Sequence, residues 1–144
     1  MDMPAAPSTR ALEMARALVR INTVSRESNL PLIELIREEL TRHGVASRLT
    51  FDDDRKKANL FATIGAGKPA GVIISGHTDT VPWDGQDWSV DPLGAEVRDG
   101  RLYGRGSADM KSFIGLAVAQ VPAFLAADLP FAVHFAFSYD EEVG

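Results

Sequence analysis

The sequence predicts an α/β protein in which helices are layered against a sheet. Three observations carry this. Two early segments place apolar residues at helical spacing. Two short apolar runs, Val72-Ile73-Ile74 and Phe131 to Phe137, each end in a polar cluster. Between them lies a long segment, Met110 to Ala127, rich in Ala, Leu, Ile, Val and Phe. The length of 144 residues suits one domain, and 45% hydrophobic residues suffice for a sizeable core.

The elements follow in order. Residues 1–8, with Pro4 and Pro7 among small side chains, read as a loose tail ahead of a domain over 9–144. Ser8 or Thr9 can cap a helix that carries Leu12, Ala15, Leu18 and Val19 on one face. Ser25 to Asn29 is a polar loop. Pro31 fits the first turn of a second helix, with Leu32, Leu35, Ile36 and Leu40 along one face and Gly44 as its stop. His43 suits that helix's C-terminus, where the dipole favours a cation. Val45 to Phe51 reads as a strand, and Asp52 to Lys57 as a charged turn. Asn59 to Ile64 and Gly71 to Ser75 read as two more strands. The second is apolar throughout, as expected of a strand covered on both faces. Thr80 to Asp99 lacks periodicity. Its Pro82, Trp83, Trp88 and Pro92 predict a long ordered loop packed by aromatics. Arg101 to Tyr103 is a short strand. Met110 to Ala127 is a buried helix that Pro122 kinks or ends early. Phe131 to Ser138 is a strong strand, in which His134 reads as a structural histidine.

Composition excludes several functions. The formal net charge is −5, which argues against nucleic acid, because neutralising phosphates needs a basic face. No apolar run approaches the ~20 residues needed to cross a bilayer, and no secretory signal is visible at the start. A cytoplasmic protein is the simplest reading. There are no cysteines, so His and carboxylates are the only strong metal ligands available.

Chemistry concentrates in three clusters. His77 and Asp79 directly follow a buried strand, where open α/β sheets place ligands. Asp79 can accept the second ring N–H of His77, which fixes the tautomer and improves the ring as a ligand. Asp109 stands between a Gly-rich loop and an apolar helix. It could serve as a helix cap. Gly104-Arg105-Gly106 also resembles the start of a dinucleotide-binding loop, but Asp109 occupies the third glycine's place and would repel a pyrophosphate. Glu141 and Glu142 follow the last strand. Adjacent carboxylates there can be a solvated strand end. They can also divide labour, one ligating a metal and the other moving a proton.

Taken together, Ser75 to Pro82, Gly104 to Lys111 and Asp140 to Glu142 resemble a family of di-zinc metallopeptidases and amidohydrolases that includes aminoacylases, desuccinylases and acetylornithine deacetylases. Thr23 to Leu30 and Phe137 to Gly144 look most like the acetylornithine deacetylases. The resemblance implies a zinc-exopeptidase-like catalytic domain with two divalent metal ions, zinc or cobalt. It implies that His77 and Glu142 each bind one ion and that Asp109 bridges them. Asp79 would orient His77, and Glu141 would be the general base and acid. The implied substrate is a small N-acyl amino acid, first N-acetyl-L-ornithine, cleaved to acetate and L-ornithine in arginine biosynthesis. A desuccinylase or peptidase of the same family is the alternative. The intact protein would be a homodimer, and the Asp109–Met110 peptide would be cis. Family members also carry a further carboxylate ligand, a last His ligand and an inserted domain that have no counterpart in these 144 residues. The expectation is therefore an N-terminal portion that binds zinc weakly and is inert or nearly so by itself.

Overall fold

The structure is a computed structural model that describes residues 8–144. The expected tail lies outside the described residues except for Ser8, which caps the first helix: its hydroxyl accepts the Ala11 N–H at 3.2 Å. Helix α1 spans Thr9–Val19 and α2 spans Leu30–Arg42, the latter with Pro31 in its first turn. Strands follow at Ser47–Phe51 (β1), Ala58–Ile64 (β2) and Val72–His77 (β3). A small hairpin, Glu96–Arg98 (β4) with Arg101–Tyr103 (β5), comes next. Two helices, Lys111–Ala119 (α3) and Val121–Ala127 (α4), precede the last strand, Val133–Ser138 (β6). The single helix expected over 110–127 is broken at Gln120, because Pro122 sits in the first turn of α4 and cannot continue the ladder of α3.

The main sheet runs β1-β2-β6-β3. Its first two pairings are antiparallel, and β3 pairs parallel with β6. Burial alternates along β2 and β6, as a period-two strand requires. Leu60, Ala62 and Ile64 lie opposite Phe137, Phe135 and Val133, and these six form one core with Leu18, Ile36, Leu40, Ile114 and Val118 from the helices. Phe61, Thr63 and His134 alternate onto the other face. His134 stacks on Phe61 with ring centroids 5.5 Å apart and hydrogen-bonds Thr63 at 2.9 Å, which fits its structural reading.

Two expectations need correction. Strand β3 is not covered on both faces. Among the described residues it is a sheet edge, and Val72 and Ile73 are 48% and 63% exposed. The loop after β3 is not packed by buried indoles, since Trp83 and Trp88 are only half-buried. Arg105 holds it instead. The guanidinium lies over the Trp88 ring at 5.1 Å and donates to Gln86 Oε1 at 2.5 Å. The Arg105 N–H donates to the Pro92 carbonyl at 2.7 Å.

Helices α1 and α3 cross at Gly115, where an added Cβ would lie 2.7 Å from Ala15 Cα and 2.8 Å from Ala15 N. These are backbone atoms, so a side chain here forces the helices apart. Gly115→Val is expected to lower the unfolding free energy by about 3 kcal/mol, read as a lower urea midpoint. An unchanged midpoint would mean that the crossing can open freely.

Candidate metal centre

Parallel pairing is what assembles the site. His77 is in register with Ser138, so the chain leaves β3 and β6 at the same edge of the sheet. His77–Asp79 and Asp140–Glu142 therefore emerge side by side, at the carboxyl ends of neighbouring strands. Asp109 reaches the same edge just ahead of α3, across the Asp109–Met110 peptide, which is cis. Met110 seats this approach: its sulfur accepts the His77 N–H at 3.4 Å.

The imidazole of His77 is buried, and its two nitrogens face different neighbours. Nδ1 lies 3.0 Å from the backbone carbonyl of Asp79 and 3.5 Å from that residue's carboxylate. The carbonyl is thus the nearer group holding the ring. Nε2 points to Asp109 Oδ1 at 2.9 Å and Glu141 Oε2 at 3.7 Å. Donor atoms of His77, Glu141 and Glu142 all lie within 4.8 Å of one another. Asp79 behaves differently from the other carboxylates. It is 2% exposed, and its oxygens accept the backbone N–H groups of Glu141 and Glu142, both at 3.1 Å.

The electrostatics suit a cation. Among the described residues no Lys or Arg pairs with Asp109, Glu141 or Glu142. Burial raises the pKa of Glu142, and the charges of Asp109, Asp79 and Glu141 raise it further against an opposing effect of His77. Burial alone would lower the pKa of His77. The hydrogen bonds to Asp109 and the Asp79 carbonyl, with the charges of both aspartates, outweigh it and leave the pKa above the ordinary 6.5. One imidazole and several repelling carboxylates gathered this closely are a donor set for a divalent ion with bonds of about 2.0–2.2 Å. The residues therefore fit zinc or a similar ion, with His77, Asp109, Glu141 and Glu142 available to hold it.

The raised His77 pKa has two consequences of opposite sign. In the metal-free chain the folded state holds the His77 proton more tightly than the unfolded state does. Its stabilising contribution is full below pH 6.5 and is lost as pH rises through the higher folded value. Metal needs the neutral ring. Zinc affinity is therefore expected to fall as pH drops through the same range, with calorimetric titrations across pH 5–8 as the check. A pH-independent affinity would remove His77 from the ligand set.

Helix α2 begins where a second, wholly structural cluster sits. Asn29, 2% exposed, donates to the Ala58 carbonyl at 2.9 Å and to Thr78 Oγ1 at 2.8 Å. Asn29 lies in the Thr23 to Leu30 stretch that carries the resemblance, but nothing local in the sequence gives its role. A buried Asn in a polar loop is visible only once β2 and β3 lie beside that loop.

The chain is 38% identical over 117 residues to an acetylornithine deacetylase from Pasteurella multocida, covering 76% of this chain and 30% of that protein. It is 43% identical over 116 residues to succinyl-diaminopimelate desuccinylase 2 from a Ruegeria species, covering 79% of this chain and 29% of that protein. The chain thus spans about three-tenths of the length of these relatives. Human carnosine dipeptidase 1 superposes with a TM-score of 0.77 at 27% identity, over 93% of this chain and 32% of that one. An M20 family metallo-carboxypeptidase from Sulfolobus solfataricus shares the fold with a TM-score of 0.77 at 21% identity, over 92% of this chain and 31% of that one. Residues 73–144, which hold every residue of the cluster, match peptidase family M20/M25/M40, and the chain belongs to that family.

Proposed function

We propose that this chain forms the metal-binding part of a hydrolase that cleaves the amide of a small N-acyl amino acid. N-acetyl-L-ornithine is the first substrate, released as acetate and L-ornithine. The observation that carries the reading is the meeting of the His77, Glu141 and Glu142 donor atoms at one sheet edge, with Asp109 2.9 Å from His77 Nε2 and, among the described residues, no Lys or Arg paired with these carboxylates.

His77, Asp109 and Glu142 would hold two divalent ions, zinc or cobalt. Bound there, such ions supply Lewis acidity, lowering the pKa of water to about 7 and polarising a carbonyl. The chain's own residues do the rest. The Asp79 carbonyl keeps the His77 ring turned so that Nε2 faces Asp109. Glu141, with its backbone tied to Asp79 and its side chain 59% exposed, is free to take a proton from water and pass it to the leaving amine.

A desuccinylase is the second reading. It is favoured by the relative of that name at 43% identity. The test combines two measurements on protein stripped with a chelator. Calorimetry with zinc should show saturable uptake that is lost on His77→Ala. Hydrolysis should be followed in the longer hydrolase that carries this chain, with N-acetyl-L-ornithine and N-succinyl-diaminopimelate in parallel, and the faster substrate decides between the readings. Absence of zinc uptake would end both.

A further inference from the structure

Asp79 is anchored by a segment that lies far away in sequence. After α1 the chain runs alongside residues 78–80, and Val24 bridges to Thr80 in parallel. The Thr80 N–H donates to the Thr23 carbonyl at 3.0 Å, and the Ser25 N–H donates to the Thr80 carbonyl at 3.1 Å. The Thr23 hydroxyl donates to the Thr78 carbonyl at 2.6 Å. This strap delivers Ser25, itself buried, to Asp79. The Ser25 hydroxyl donates to Asp79 Oδ2 at 2.6 Å. Lys57 secures the strap from the other side. Its ammonium donates to the Ser25 carbonyl at 2.6 Å and to Asp140 Oδ1 at 2.5 Å.

We infer that Ser25 is a positioning residue for the metal centre, acting through the Asp79 carboxylate on the backbone of Glu141 and Glu142. The inference rests on the metal-site reading above for its functional meaning, though not for its geometry. The carboxylate has two oxygens and three strong donors. Oδ1 takes the Glu141 N–H, while Oδ2 takes both the Glu142 N–H and the Ser25 hydroxyl. A carboxylate can turn about its last torsion at little cost. The Ser25 hydroxyl holds the torsion at which the two oxygens meet the two amides. The Glu141–Glu142 turn, only part-buried in itself, thereby inherits its orientation from a residue more than a hundred positions earlier. Ser25 has no hydrogen bond to His77, Asp109, Glu141 or Glu142, and the shorter bond of its hydroxyl is the one to Asp79, the other being to the Thr80 carbonyl at 3.4 Å.

The experiment compares Ser25→Ala with Ser25→Thr, which keeps the hydroxyl. The first readout is amide hydrogen exchange in the metal-free chain, and it needs no activity. Loss of one buried hydrogen bond in Ser25→Ala should speed exchange at Glu141 and Glu142 by about tenfold. Amides of β6 should be unchanged, and Ser25→Thr should keep the wild-type rates. Unchanged Glu141 and Glu142 rates in Ser25→Ala would overturn the inference. So would an equal rise along β6, or a Ser25→Thr variant no better than Ala, since either marks a general packing role. The second readout is cobalt titration followed by the visible spectrum of the bound ion. Ser25→Ala should weaken uptake by about 10–100-fold, the usual cost of losing a group that orients metal ligands. If wild-type protein takes up no cobalt while the two amides still respond, the metal reading falls and the positioning of the Glu141–Glu142 turn by Ser25 stands.

Discussion

In the longer hydrolase of which this chain would be the metal-binding part, Glu141→Gln is expected to slow hydrolysis of an N-acyl amino acid by about 10²–10⁴-fold while leaving zinc uptake close to wild type. The two neighbouring glutamates share a backbone anchor but not an environment. Both N–H groups donate to Asp79. Glu141 is the more exposed, and its carboxylate lies 3.7 Å from His77 Nε2. Burial and the charges of Asp109, Asp79 and Glu141 raise the pKa of Glu142, so a cation relieves more strain there. Glu142→Gln should accordingly cost zinc affinity first and turnover as a consequence. Isothermal titration and a steady-state assay on the same two preparations separate these effects. Equal loss of zinc in both variants would mean that Glu141 is a ligand and that the division of labour between the pair is wrong.

Much of this arrangement could be read in the sequence because its determinants are local. Val72-Ile73-Ile74 followed by His77 and Asp79 marks a strand end bearing ligand types. The apolar run before Asp140-Glu141-Glu142 does the same for β6. Pro122 signalled the break between α3 and α4. What escaped depends on partners distant in sequence. The polar loop at Ser25 to Asn29 gives no sign that Ser25 will meet Asp79, 54 positions away, or that Asn29 will join Ala58 to Thr78. The apolar run of β3 suggested cover on both faces, but apolarity records what a strand can bury and not where it stands in the sheet. Its place at the edge follows from the pairing order alone. Gly115 carries no local sign of its role within the apolar segment Met110 to Ala127. Its reason is the backbone of α1 pressed against it. Lys111 was hidden for the opposite cause, since a lysine is ordinarily read as exposed.

Lys111 gives the second large effect, in stability instead of rate. It is 1% exposed, opens α3 beside Asp109, and its ammonium donates to the Ile21 carbonyl at 2.6 Å. Burial pushes its pKa down from 10.5 to about 8. Below about pH 8 both folded and unfolded chains carry the proton, and the folded state bears the cost of a buried charge. Between about pH 8 and 10.5 the unfolded chain still holds the proton and the folded chain has released it. More protons on the unfolded state make stability rise with pH. Across that window Lys111 should add up to about 3 kcal/mol, at 1.36 kcal/mol per unit of pKa difference. Lys111→Met should abolish the rise. Near pH 7 the variant gains from removing a buried charge and loses the partner of the Ile21 carbonyl, at about 1–3 kcal/mol. These effects oppose one another, so the decisive quantity is the slope with pH and not the stability at one pH. Urea unfolding of both proteins at pH 7, 8.5 and 10, with chelator present, measures it. Wild-type stability should climb relative to Lys111→Met as pH rises. Parallel profiles would show that the Lys111 ammonium reaches water in the folded protein and that its contact with Ile21 is not a buried one.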